Sequence, residues 1–288
     1  MIFYVTSDPR RGGLAPVLPA LRGLVTPLAY GRVLDARRLG AGTYLFAAIE
    51  RLAPEDAARA AALRDVLAGA GVRTLNHPSR TLGSYELVRR LRQDGAGASD
   101  AVRLDEVRSP GRYPVALRAA AGGGWLSGRL ETPAALDAAR AELDRQGISR
   151  RRVMAVELAE PERASRALVV GERVLGLGRG PGDEPAPPAA LLAVAGLAGL
   201  DYGRLDYGVL DGRLAVWGLD TDPPLDEDAP AVGDLAAALR ALDTGAGTRV
   251  RGVSTGLPPR GRGPAMLRGP RERLAERLKE LSDRLPRR

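Results

Sequence analysis

Apolar and polar positions in this chain alternate in short β-type runs set between helical stretches. Residues 2–6 are an apolar run ending in the turn Ser7-Asp8-Pro9, and 43–49 read as a buried strand. Residues 14–24 have helical apolar spacing, limited by Pro16 and Pro19. Residues 57–71 predict a helix, with Pro54-Glu55-Asp56 at its start and glycines at its end, and 72–75 a short strand. This β-α-β-α-β order predicts a small parallel sheet covered by helices.

A helix over 82–92 follows the Asn76-His77-Pro78 turn, and the pattern then changes. Strands are expected at 113–118 and 153–158, with a helix between them that Thr132 caps and that runs to residue 143. Residues 167–170 and 173–177 predict a hairpin about Gly171-Glu172, and 205–210 with 213–219 a second about Asp211-Gly212. Helices are expected over 189–200 and 232–242, and the Pro-rich stretch 181–188 excludes regular structure. The second half is thus antiparallel hairpins with helices, an α+β pattern. Residues 244–266 are rich in Gly, Pro and Arg and read as a linker. Leu267, Leu274, Leu278, Leu281 and Leu285 then recur at heptad spacing on a charged helix over 267–288, which suggests packing, or a homodimer through that helix.

Composition narrows the chemistry. The chain has 288 residues, no cysteine, one histidine (His77) and one lysine (Lys279). Thiolate metal sites, disulfides and Cys nucleophiles are excluded, as is a zinc site with several His ligands from this chain. Carboxylates, arginines, hydroxyls and backbone amides remain, and any metal would be a hard ion such as Mg²⁺. The formal net charge of +8 falls entirely on residues 249–288, which hold twelve basic and four acidic residues. Residues 1–248 are therefore neutral, which disfavours a nucleic-acid surface there; the tail lacks the aromatics that stack bases. No apolar run approaches the ~20 residues of a membrane span, and the N-terminus lacks a signal-peptide pattern, so a cytoplasmic protein is expected. His77, in an Asn-His-Pro turn before a helix, reads as a capping or packing residue.

Four segments, in order, resemble the motifs of the ATP-grasp superfamily. Residues 71–95 are similar to its N-x-P approach to the nucleotide domain, and 112–143 to its P-V-V-x-K-P strand, glycine loop and helix. Residues 153–180 are similar to its hinge strand and following hairpin, and 199–225 to G-x-D-x-x-x-D-x-x-x-x-D-G-x-x-x-x-x-E-x-N-x-x-P. The likeness covers roughly residues 72–242. Gly42-Thr43-Tyr44-Leu45-Phe46 and Arg51-Leu52 further resemble a bacterial ATP-grasp-like group.

The resemblance implies a parallel α/β domain over 1–78, an antiparallel α+β ATP-grasp-like domain over 79–243, the linker 244–266 and the helix 267–288. It implies ATP and Mg²⁺ as cofactors, and a ligase that activates a carboxylate of a small-molecule or peptide substrate as an acyl phosphate for attack by an amine or thiol. Arg118 stands where the family has its phosphate-touching strand lysine, Gly122, Gly123 and Gly124 match the glycine loop, and Glu157 matches the ribose-holding hinge acid. Arg166 and Arg179 match hairpin arginines that face phosphate or substrate. Asp206 matches the first metal carboxylate, whereas the family's essential Glu falls on Gly218 and its Asn on Asp220, with Asp222 beyond. This departure opens a second expectation, a catalytically degenerate fold that binds nucleotide, a small molecule or a protein.

Strand geometry leaves the carboxylates ambiguous. A tight turn at Asp211-Gly212 sets Asp206 opposite Trp217 and turns Asp220 to the other face; an odd-length loop with Gly212 as a bulge brings both onto one face.

Overall fold

The computed structural model describes residues 1–106, 110–121, 124–161, 164–176, 186–225, 231–243 and 253–255. Gly122, Gly123, Arg179 and the helix expected over 267–288 lie outside the described residues.

The expected parallel sheet is present. It comprises β1 (Ile2–Thr6), β2 (Val25–Ala29), β4 (Thr43–Phe46) and β5 (Thr74–Leu75), in the order β2-β1-β4-β5. Helices α1 (Tyr30–Leu34) and α2 (Pro54–Gly69) accompany it. α2 starts on Pro54 with Glu55 and Asp56 in its first turn, where the helix dipole favours acids, and buries Ala60, Leu63 and Leu67. The stretch 14–24 is not a full helix: only the 3₁₀ turn Ala15–Val17 forms, because prolines at 16 and 19 remove amide donors. β2 carries Pro27, which hid it from a pattern reading and which an edge strand tolerates. A short β3 (Arg38–Leu39) pairs with the last described strand, β13 (Val253–Ser254).

Two antiparallel sheets follow. The first, β6-β8-β7, joins β6 (Ala101–Arg103), β7 (Val115–Ala119) and β8 (Val153–Glu157). Helix α3 (Ser84–Gln93) precedes it, and α4 (Pro133–Arg145) lies between β7 and β8, capped by the Thr132 hydroxyl, which accepts from Ala135 N at 3.2 Å. The second sheet has the order β10-β9-β11-β12: β9 (Ser165–Val170), β10 (Arg173–Gly176), β11 (Tyr202–Leu210) and β12 (Arg213–Asp220). Helices α5 (Pro188–Ala198) and α6 (Val232–Leu242) complete the described elements. None of the described helices is long and apolar enough to cross a membrane.

One core spans early and late parts of the chain. Ile2, Tyr4, Leu14 and Leu45 pack in the same cluster as Leu168, Val170, Tyr202, Leu235 and Leu239. A second cluster joins the two antiparallel sheets through Ala116, Met154 and Val156 on one side and Ala215 and Trp217 on the other.

Asn76 fastens the parallel sheet to β11. Its Nδ2 donates to Phe46 O (3.0 Å) and Tyr202 O (2.8 Å), while its Oδ1 accepts from Asp201 N (2.8 Å) and Tyr202 N (3.0 Å). The residue is buried with φ 53°, a left-handed position that Asn accepts more readily than most side chains. His77 next to it caps the turn, its Nδ1 accepting from Ser79 N at 3.2 Å, which leaves Nε2 facing Asp65 at 3.4 Å. Asn76→Asp keeps the shape but removes both donor bonds and buries a charge near Asp201. It is expected to lower the unfolding free energy by about 2–4 kcal/mol, as read by urea denaturation.

Candidate functional site

The site lies on the face that β11 and β12 turn toward the β6-β8-β7 sheet. Their connection is tight: Asp211 and Gly212 have φ of 51° and 72°, the two left-handed residues of a type I′ turn. The register runs regularly from Leu210↔Arg213 to Tyr207↔Val216 and then shifts, so that Asp206 faces Gly218 and Arg204 faces Asp220. Trp217 is the extra residue of a β-bulge. Neither arrangement open from the sequence is the one formed: the turn is the tight one, and the bulge sits inside the strand. Its effect is to bring Asp206 and Asp220 onto one face, since one inserted residue inverts the alternation beyond it.

Arg118, on β7, reaches across to that face. Its side chain is 0% exposed, and its Nη2 lies 2.5 Å from Asp206 Oδ2, so its ion partner is Asp206. Arg204 closes the other side, with Nε 3.0 Å from Asp206 Oδ1 and Nη2 4.0 Å from Asp220 Oδ2. Arg166, exposed on β9, stands directly opposite Asp206 in the ladder. Burial alone would raise the Asp206 carboxyl; Arg204, Arg118 and Arg166 override it and hold the group below the ordinary carboxylate range.

Gly218 explains how Arg118 fits. A Cβ there would lie 2.4 Å from Arg118 Nε and 2.7 Å from Cζ, so the guanidinium fills the space of a side chain at 218. Above the guanidinium lies Trp125, its ring centroid 5.1 Å from Arg118 Cζ. Trp125 in turn packs edge-on against Trp217 at 6.1 Å, and Trp217 donates from Nε1 to Ser99 Oγ at 3.0 Å. Both tryptophans of the chain therefore belong to this cluster.

The end of β12 is tied to the parallel sheet. Arg51 Nη2 lies 3.4 Å from Asp220 Oδ1, and its Nη1 lies 3.7 Å from Asp222 Oδ2. Asp222 accepts from the Tyr4 hydroxyl, from Thr6 Oγ1 at 2.9 Å and from Gly13 N at 2.6 Å. Thr221 Oγ1 donates to Glu50 and accepts from Ile49 N at 3.1 Å. Burial, with the Asp220 carboxylate, lifts Glu50 to about 7 against the pull of Arg51 and the Thr221 hydroxyl.

The other expected residues are less engaged with this cluster. Glu157 Oε1 accepts from Gly111 N (2.8 Å) and Arg112 N (3.2 Å), holding the loop before β7. Gly124 is exposed, with open space around it. Pattern reading missed Arg204, Arg51, Glu50 and Trp125 as parts of the cluster. Arg204 carries a signal, since it lies two residues before Asp206 on a strand, and Arg51 stands in the Arg51-Leu52 segment noted above; Glu50 and Trp125 arrive through long-range packing and carry none.

Mg²⁺ does not fit this arrangement. The two guanidinium groups of Arg118 and Arg204 already engage Asp206, Gly218 offers no bridging carboxylate, and Asp222 is spent on backbone and hydroxyl donors. Among the described residues no group of three His, Asp or Glu stands where it could hold a metal ion.

No protein-family model matches the chain, and no curated protein does. Solved structures do. A D-alanine–D-alanine ligase from Bacillus anthracis aligns over 84% of this chain and 95% of its own, with TM-score 0.54 and 13% identity. The ATP-grasp ligase PsnB, complexed with its precursor peptide PsnA2 and AMPPNP, aligns over 84% and 98% with TM-score 0.54 and 17% identity. A RimK domain ATP-grasp protein from Sphaerobacter thermophilus aligns over 84% and 97% with TM-score 0.50 and 17% identity. The Bacillus ligase is also known with ATP, and PsnB with Mg and ADP. These likenesses show that the chain has the ATP-grasp fold.

Two outcomes test the geometry. Gly218→Ala is expected to cost about 1–3 kcal/mol in the native chain and almost nothing in an Arg118→Ala background, as a double-mutant cycle of unfolding free energies would show. Because folding raises Glu50 from its usual 4.5 to about 7, the folded chain binds the extra proton. Stability should therefore be highest below about pH 4.5 as far as this group is concerned, and fall as pH rises to about 7. Glu50→Gln should flatten that part of the curve in denaturant titrations at several pH values.

Proposed function

We propose that this ATP-grasp fold serves as a binding module for a nucleotide or another phosphorylated ligand, without Mg²⁺-dependent phosphoryl transfer. The observation that supports it is the engagement of Asp206 by Arg118 and Arg204 beside Gly218. A carboxylate gripped by two buried guanidinium groups is a poor ligand for a divalent ion, because freeing it takes from the fully enclosed Arg118 its ion partner and from Arg204 one of its carboxylates. On this reading Arg118 and Arg166 face phosphate, Glu157 faces the ribose, and Gly122, Gly123 and Gly124 lie over the phosphates. Residues 1–78 and 79–243 act as the two halves of the module. The partner beside the nucleotide is a small molecule or a peptide, by analogy with PsnB and its precursor peptide. The segment 267–288 is a packing or dimerisation device rather than a nucleic-acid arm, in a cytoplasmic protein.

A second reading, an ATP-dependent carboxylate–amine or carboxylate–thiol ligase, is favoured by one observation. The bulge at Trp217 aims Asp206 and Asp220 at the same side, next to Arg166. There Arg166 and Arg179 would steady the transferred phosphoryl group, and a metal on Asp206 and Asp220 would first have to displace Arg118 and Arg204 from Asp206.

Isothermal titration with ATP and ADP decides between them. The binding-module reading expects the same affinity in EDTA as in millimolar Mg²⁺ and no ADP formed from ATP. Mg²⁺-dependent ADP release in the presence of carboxylate and amine substrates, abolished by Asp206→Ala, would overturn it.

A further inference from the structure

Trp125 holds a place that the functional reading leaves unexplained. Its ring lies over the Arg118 guanidinium, whose Nη2 meets Asp206 and whose planar group fills the space left by Gly218. It is set there by a bridge to Arg118 along the free edge of β7, which puts the two side chains on one face of the sheet. Trp125 is only partly buried, whereas Arg118 beneath it is fully enclosed.

The enclosed guanidinium is under-used. Apart from its ion contact with Asp206, none of its three side-chain nitrogens finds a hydrogen-bond partner among the described residues. A guanidinium carries five donors in a planar fork that suits oxyanions, and buried donors left unmade are costly. An aromatic face attracts the cation but satisfies none of its N–H groups. The arrangement is therefore that of a cationic site closed by a ring, with donors left for an anionic ligand to take up.

We propose that Trp125 is a displaceable cover on Arg118: an oxyanion of a phosphorylated ligand replaces the ring over the guanidinium, and the indole swings away when it binds. The inference rests on the metal-free binding reading and adds to it a gating residue and a built-in optical reporter. Trp125 touches Trp217, the other tryptophan, so moving it changes the surroundings of both indoles. No bond is made or broken; the ligand competes with a cation–π contact.

The experiment uses the full chain in EDTA, with inorganic pyrophosphate and ATP as probes, followed by calorimetry and by tryptophan emission. The native chain should show an emission change that saturates with the calorimetric affinity. Trp125→Ala removes the cover and should bind roughly three- to thirty-fold tighter, the range of a desolvated cation–π contact. Trp125→Phe retains a weaker ring and should fall between the two. Thermal unfolding identifies any variant that fails to fold, and Trp125→Phe then carries the comparison. Equal or weaker binding by both variants overturns the cover while leaving metal-free binding intact. Binding by every form only when Mg²⁺ is added overturns the functional reading itself, and the cover with it.

Discussion

The Arg118–Asp206 ion pair is the contact around which the facing sheets are organised. It is sealed between them, each partner coming from a different sheet. Removing either charge from such a place strands the other, which costs far more than the pair itself contributes. The surrounding choices follow from that constraint. Gly218 must lack a side chain because the guanidinium occupies the space, and Gly208 must lack one because the Trp217 ring stands 2.5 Å from where its Cβ would be. Arg204 shares the carboxylate, so that Asp206 stays ionised despite complete burial.

A second constraint links this region to the parallel sheet. Residues Asp220 to Pro223 run along the end of β1 and the turn after β4, with Asp222 reaching Tyr4, Thr6 and Gly13, and Thr221 reaching Glu50 and Ile49. A Cβ on Gly13 would strike Pro223 O at 1.9 Å, so the two segments lie backbone against backbone. Asn76 makes a parallel fastening farther along β11. The carboxylates at the strand end are thus committed to assembling the molecule. That commitment weighs against their serving as free metal ligands.

Much of the architecture was legible in the chain because periodicity reports burial. The helix Val232–Leu242 falls where its apolar spacing put it, and the Asp211-Gly212 turn forms as its dipeptide demands. β2 was not legible because Pro27 interrupts it, and over 14–24 the prolines limit the helical spacing to a single 3₁₀ turn. The face of Asp220 was undecidable for a deeper reason. Trp217 looks like any large apolar strand residue, and nothing in its neighbours marks the inserted position of a bulge. Arg51 and Trp125 enter the cluster from segments far from β11 and β12 in sequence, a relation no local pattern encodes.

The shared space of Gly218 and Arg118 also bears on the substitutions open to this sequence. An acidic side chain cannot enter at 218 while the guanidinium occupies its volume, and shortening Arg118 takes from Asp206 one of its two buried guanidinium partners. Each single change is disfavoured in the presence of the other residue, so the two positions can be altered only together. The pair acts as a lock: it holds the fold to the chemistry of arginine and carboxylate.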